Sequence, residues 1–332
     1  VLEGKELILA TKKYAKEDRK KSWILTISTL AVLALTYVGI FFNVHIIGKI
    51  ICSVLAGLTL VRMFIIYHDY IHKSILQKSQ LANAIFTVFG LYILAPKSIW
   101  KRSHDYHHQH NSKLYTSGVG SFPIVTKEKF VSSSWKERTI YLFIRHPLTV
   151  SFGYLFAFIY GMCIRSFASS PRKHWDSLVS LFLHFGVGTM MYLFAGWEGV
   201  ILGFVMPALI SSALGTYFFY AQHNFPGVTY ANKDGWTYIS AALSSSSYMK
   251  MNRLMRWFSG NIGYHHIHHL NARIPFYNLP KVFAEIPELQ QAKRTSLNPR
   301  DIFRCFKLKV WDEEAQRMIG RKELFRYKSA VA

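Results

Sequence analysis

Residues 23–44 of this chain contain no charged side chain, and residues 50–67 contain one, Arg62. As helices, both runs reach across the ~30 Å hydrocarbon core of a bilayer, where a backbone has to satisfy its own N–H and C=O groups. The short turn at 43–49 makes them a hairpin, and Arg62 lies near enough to the end of its run to snorkel or to meet a partner. Three more apolar stretches, 148–164, 178–195 and 200–220, come later. Another, 84–95, is too short to span and is stopped by Pro96, so it reads as re-entrant or interfacial.

The charge has to sit elsewhere. The chain is 51% hydrophobic and 16% aromatic, yet its formal net charge is +22. That charge must crowd the loops and tails, where it suits anionic lipid headgroups or an acidic protein partner. No basic stripe with a recognition motif is present, which argues against a nucleic acid partner. Cys52, Cys163 and Cys305 stand alone, so neither a disulfide scaffold nor a thiolate metal site is indicated. The N-terminal stretch, with Lys5, Lys12, Lys13, Lys16, Arg19, Lys20 and Lys21, reads as a charged cytoplasmic helix and is too mixed in charge for a cleavable signal.

The histidines are clustered. His68-Asp69-Tyr70-Ile71-His72 follows the second run, His104-Asp105-Tyr106-His107-His108 and His265-His266-Ile267-His268-His269 follow later, and His223 stands by itself just past residue 220. Residues three and four apart share a helix face, so HxxxH presents two imidazoles side by side and HxxHH presents three. Nine rings, those of His68, His72, His104, His107, His108, His223, His265, His268 and His269, exceed what one tetrahedral ion takes, so two ions are expected. The zinc-protease pattern HExxH is absent, and imidazole suits iron, copper, nickel and zinc alike. Iron is favoured because a membrane site facing an apolar substrate points to oxygen chemistry. Asp69 and Asp105, each directly after the first histidine of a cluster, can accept a ligand's other ring N–H or can simply face solvent. His45, His146 and His174 read as packed or hydrogen-bonded, and so does His184, although an ionisable group inside a span is a candidate by default. His110 and His266 stand one residue off the shared face.

The nine candidate ligands have to lie on one side of the membrane. If 148–164, 178–195 and 200–220 all crossed, His223 and the third cluster would be separated from the first two. The loop 165–175, with Arg165, Arg172 and Lys173, is positive as an inside loop should be, so 148–164 reads as interfacial or half-inserted. The expectation is an all-α integral membrane protein with four transmembrane helices, 23–44, 50–67, 178–195 and 200–220, in two hairpins. Interfacial and re-entrant helices and a cytosolic helical cap would carry the two-metal site. Residues 1–22 would form a cytosolic basic helix, 23–279 the membrane domain and 280–332 a cytosolic basic segment.

The order HxxxH, HxxHH, HxxHH, with hydrophobic hairpins between, resembles the membrane fatty acid desaturases over residues 23–279. The most specific stretch is Asn261-Ile262-Gly263-Tyr264-His265-His266-Ile267-His268-His269-Leu270 followed by Arg273-Ile274-Pro275-Phe276-Tyr277-Asn278-Leu279. It is similar to the acyl-lipid desaturases of bacteria and plastids, the branch that includes delta-12 and omega-6 types. The resemblance implies a non-haem di-iron centre with O2 as co-substrate. One iron would be held by His68, His104, His108 and His265, the other by His72, His107, His223, His268 and His269. It also implies a membrane lipid acyl chain as substrate and a bacterial inner membrane location, with the active site and both termini cytosolic. With no HPGG haem segment and no cysteine cluster, electrons would come from a separate donor, a ferredoxin or a cytochrome with its reductase.

There are two departures from that pattern. Four residues before His223, where the acyl-CoA branch has Asn, stands Phe219, so a ligand is missing there unless a group such as Asn224 replaces it. Residues 117–122 lack the acidic residue common in some relatives. The reading is an acyl-lipid desaturase, with a di-iron lipid or carotenoid hydroxylase or ketolase as the alternative. A metal transporter or sensor would need facing polar groups within the spans, which are sparse apart from Arg62 and His184.

Overall fold

The computed structural model describes residues 2–116 and 120–331, the last five of these by backbone alone. Ser117, Gly118 and Val119, part of the stretch read for an acidic residue, lie outside the described residues.

The first hairpin pairs the helices Arg19–Phe42 and Ile46–Ile71. Asp18 caps the former by accepting the Lys21 N–H at 3.0 Å. Its packing is inverted relative to a soluble helix: Ser22, Thr26, Thr29 and Thr36 are buried, while Leu35 and Phe42 are 68% and 71% exposed. Small hydroxyl side chains allow the backbones to approach, and Thr26 and Thr29 bond back to the carbonyls of Ser22 and Leu25 at 2.8 and 2.7 Å. The latter helix outruns its apolar stretch. At 26 residues it is about 39 Å long, more than the hydrocarbon thickness, so its last turn carries His68 and Asp69 beyond the apolar part. Arg62 meets a partner rather than snorkelling. Its Nε donates to Thr29 Oγ1 at 3.0 Å, Nη1 donates to the Trp257 carbonyl, and the guanidinium lies 4.3 Å from the Trp257 ring centroid. It ties the membrane hairpin to the segment just before the third histidine cluster.

The stretch read as re-entrant is a bent pair, Gln80–Tyr92 and Lys97–His110, meeting at 89°. Leu94 at φ 61° and Pro96 make the corner, and Tyr67 Oη donates to the Ala95 carbonyl at 2.9 Å to hold it. The first member, at 13 residues, is only about 20 Å long. The bend turns the chain back, so that the His104 ring comes to 4.8 Å from that of His72.

Residues 175–221 form one apolar run of 47 residues with a break at Ala195 and Gly196. Gly196 has φ 60° and ψ −155°, a conformation essentially restricted to glycine, and the run folds back on itself there. A Cβ on Gly188 would lie 2.9 Å from the Phe204 ring, and one on Gly203 would lie 3.2 Å from Met191 Sδ, so the two legs pack antiparallel. The return leg winds with i→i+5 geometry through Gly199–Val205 before Pro207, whose missing N–H loosens the regular ladder. Residues 148–164 appear as the short helix Pro147–Ser151 and the apolar Tyr154–Ser169, too short to be a candidate span.

Two expectations are corrected. The protein is mostly helical but not all-α: Tyr248–Lys250 pairs in parallel with Arg294–Ser296, and Leu308–Asp312 pairs antiparallel with Arg317–Gly320. Strands of three to five residues are too short for alternation to stand out in a sequence. The N-terminal basic stretch is not one helix, because Gly4–Thr11 is followed by a 3-10 turn, Lys12–Ala15, and Arg19 already opens the long helix. That segment rests on the cap: Tyr14 Oη donates to Glu285 Oε2 at 2.5 Å and Asn278 Nδ2 to the Tyr14 carbonyl at 3.0 Å. Ile286, Leu289, Cys305 and Trp311 are buried in the main core, so the C-terminal residues pack as part of the same body.

Candidate metal centre

All nine expected imidazoles meet beyond the ends of the long helices, in two groups. His68, His72, His104, His108 and His268 form one, and His107, His223, His265 and His269 the other; within each, one nitrogen per ring lies within 4.8 Å of all the others. His68 and His72 come from the end of Ile46–Ile71, the second cluster from Lys97–His110, His223 from the turn after Ala221, and the third cluster from the short helix His265–Leu270.

This grouping differs from the ligand sets implied by the resemblance. His72 and His268 fall with His68, and His265 falls with His107. The reason is angular: residues i and i+4 are 40° apart on a helix, while i+3 lies 60° to the other side. The pairs His68/His72, His104/His108 and His265/His269 therefore each stay together, and the i+3 members His107 and His268 point to the opposite group. The ring centroids agree, at 4.5 Å for His68–His72 and for His265–His269 but 5.7 Å for His265–His268.

The donor chemistry fits a cation in each group. In the second, the Nε2 atoms form a closed ring of contacts: His107–His223 at 3.0 Å, His223–His265 at 2.8 Å, His265–His269 at 3.1 Å and His269–His107 at 3.2 Å. A protonated Nε2 has one hydrogen to give and no lone pair to accept with, so at most two of these four contacts can be hydrogen bonds at once. A cation shared by the four lone pairs satisfies them all. His223 shows which tautomer is set: its Nδ1–H donates to the Ser245 carbonyl at 3.0 Å, which leaves Nε2 bare. Burial holds His107, His265, His268 and His269 well below the usual imidazole range, helped by neighbouring rings, and pushes His223 down to about 4. At neutral pH these rings are uncharged and free to ligate. In the first group His108 Nε2 lies 3.2 Å from His104 Nε2 and 3.1 Å from His268 Nε2, and His72 Nε2 is buried with no hydrogen-bond partner.

The surroundings separate the two aspartates. Asp69 is buried; its Oδ1 lies 3.2 Å from His68 Nδ1 and its Oδ2 accepts the Phe276 N–H at 2.6 Å, so it orients a ring and anchors the loop after the third cluster. Asp105 does not reach a ring and instead forms a partly exposed pair with Lys101 one turn back. Asn224 also points elsewhere: its Nδ2 donates to the carbonyl of Cys305 at 2.8 Å and fastens the helix Pro299–Lys307 to the site. Phe219 lies beside the second group, 4.8 Å from the His107 ring, and supplies an apolar wall where the acyl-CoA branch has a polar one.

Sequence reasoning missed Ser121, whose Oγ is 2.7 Å from His107 Nδ1, and Ser245, because a lone serine or a backbone carbonyl carries no spacing signal. Of the other histidines, His45 is exposed at the start of Ile46–Ile71 rather than packed or hydrogen-bonded through its ring, and the remaining five are accounted for locally. His184 takes the Tyr154 hydroxyl at 2.7 Å and donates to the Tyr92 carbonyl, His266 Nε2 donates to the Leu289 carbonyl at 2.9 Å, and His174 meets Ser98. His146 caps the helix that follows it, and His110 stacks on Tyr106.

The third cluster is positioned by close backbone contact at Gly263, where a Cβ would lie 2.4 Å from the Met249 carbonyl oxygen. Gly263→Ala must push a backbone apart two residues before His265. The expected cost is about 1–3 kcal/mol of stability, with a lower melting temperature in detergent and reduced metal content. An unchanged melting curve and full metal content would show that the loop yields freely.

Residues 45–300 match the sequence profile of the family described as Fatty acid desaturase. The chain is similar to a protein named fatty acid desaturase in Bacillus subtilis, 25% identical over 323 residues that cover 95% of this chain and 90% of that one. It is also similar to the sn-1 oleoyl-lipid 12-desaturase of a Synechocystis species, 23% identical over 82% of this chain and 78% of that one. A third relative, the sn-1 acyl-lipid omega-3 desaturase (ferredoxin) of a Nostoc species, is 24% identical over 66% of this chain and 62% of that one. With the histidine clusters in their expected order and more than half of its length matched, the chain belongs to the fatty acid desaturase family.

Proposed function

We propose that this chain is an integral-membrane acyl-lipid desaturase that inserts a double bond into a fatty acyl chain, holding two non-haem irons on its nine imidazoles. The observation that carries the reading is the convergence of those rings into two groups of bare nitrogens at the ends of apolar helices, in a chain of this family. The overall balance is R–CH2–CH2–R′ + O2 + 2e− + 2H+ → R–CH=CH–R′ + 2H2O. Bound iron would supply the oxygen activation that removes hydrogen from an unactivated methylene, which no side-chain base can do. The protein's share is to fix ring tautomers through Asp69 and Ser245, to keep water from the buried rings, and to offer Phe219 and Phe122 as an apolar approach to the second group.

The four legs of the two hairpins are read as spans, because a bilayer crossed by both hairpins leaves all nine candidate ligands on one face. The positive loop 165–175 makes that face cytosolic, with both termini there. Residues 23–279 then form the desaturase domain between the N-terminal 1–22 and the cytosolic 280–332. The relatives' bacterial sources support a bacterial membrane, their names a lipid acyl chain, and the Nostoc relative's name a ferredoxin as donor. The basic cytosolic surface suits such an acidic partner, as it would a cytochrome. Expression in a host of defined lipid composition, followed by gas chromatography of its fatty acids, is expected to yield a new unsaturated chain. A hydroxy or keto product instead would move the assignment to the hydroxylases.

A further inference from the structure

The cavity beside the second histidine group, about 170 Å3 in volume, is lined by His107, His223 and Phe219 and also by Arg145. Arg145 is completely buried, and among the described residues no carboxylate pairs with it. Its Nη1 donates to the Pro123 carbonyl at 2.9 Å, while Nε and Nη2 have no hydrogen-bond partner. The rings of Tyr141 and Tyr220 lie 5.6 and 5.2 Å from the guanidinium carbon, and Lys309 adds a second buried cation by donating to Arg145's own carbonyl at 2.8 Å. The Tyr220 hydroxyl, on a residue that also lines the cavity, faces the guanidinium and favours its charge without closing a short hydrogen bond to it.

A guanidinium buried without a counter-charge is strongly unfavourable unless something else takes up its donors. An oxyanion is the chemistry that does so, and a guanidinium fork suits phosphate oxygens better than any neutral group. The position is linked to the metal centre. Ser121 touches His107 Nδ1, Pro123 holds Arg145, and two residues of extended chain span only about 7 Å. An anion on Arg145 would therefore sit at a fixed distance from the second group.

We propose that Arg145 binds the phosphate of an anionic phospholipid's head group, so that the substrate is a phospholipid whose acyl chain is placed relative to the metals from its head-group end. This rests on the desaturase reading and adds the substrate class to it. The test has two readouts on the full-length, iron-loaded protein. In binding, short-chain phosphatidylglycerol is expected to raise the melting temperature of the solubilised protein by several degrees, whereas inorganic phosphate and a short-chain digalactosyl lipid at the same concentration do so weakly or not at all. In turnover, nanodiscs of phosphatidylglycerol are expected to be desaturated with a kcat/KM about tenfold or more above nanodiscs of digalactosyl lipid with the same acyl chains.

Arg145→Gln is expected to abolish the thermal shift and to bring the lipid preference to about one, and Arg145→Lys to restore part of it. Equal turnover and equal shifts with both lipids in the wild-type protein would overturn the proposal without needing any variant. A shift with free phosphate equal to that with the lipid would overturn the lipid assignment. A phosphatidylglycerol-specific shift with no desaturation of either lipid would support the site while sinking the desaturase reading on which the substrate role rests.

Discussion

His223→Ala should leave the protein with about one iron instead of two and reduce turnover by about a thousandfold or more, because it opens the closed ring of four Nε2 atoms at the member whose tautomer is fixed from outside. The same substitution in the third cluster distinguishes the two ligand partitions. His265→Ala should empty the same site as His223→Ala, and His268→Ala should empty the other, since these two rings face different groups although they lie one helical turn apart. Iron counting with Mössbauer spectra of the three variants checks this. Identical residual spectra for His265→Ala and His268→Ala would contradict the grouping, and full activity in His223→Ala would remove that residue from the centre.

Asp69→Asn should lower iron retention by about 10–100-fold, the usual penalty for losing the group that orients a ligating imidazole. The carboxylate is buried, and it serves both the His68 ring at 3.2 Å and the Phe276 N–H at 2.6 Å. The neutral amide keeps the shape and can still accept one bond, but it no longer favours the His68 tautomer that turns Nε2 inward. Asp105→Asn is the control. Its partner Lys101 lies one turn away on a partly exposed surface, a pair that contributes at most a few tenths of a kcal/mol. Chelator competition measures both; equal losses in the two variants would show that the adjacency of Asp69 to His68 has no special effect.

The histidine clusters and their common side were legible because both depend on periodicities that a membrane helix cannot escape. Arg62 was legible as an anomaly but not as a brace, because Thr29 and the Trp257 carbonyl, which receive it, are distant in the chain. Asp69 and Asp105 looked equivalent in sequence, each following the first histidine of its cluster. Only packing made them different, since Asp69 sits under the loop carrying Phe276 while Asp105 faces solvent. The short strands of the cap escaped notice because three to five residues give no usable alternation.

The sequence by itself determined that the chain had to be a set of apolar helices with imidazoles at one end: hydrocarbon permits no other backbone solution for runs such as 23–44, and HxxxH and HxxHH spacing sets rings on shared helix faces. What only the tertiary structure decided is which rings come close enough to hold one ion and which polar groups serve them. Those depend on the 89° corner before Lys97 and on the fold-back at Gly196. They also depend on the close approach of Gly263 to Met249. The corner and the fold-back set how distant segments meet, and the Gly263–Met249 approach is itself such a meeting; local periodicity carries no information about which segments come together.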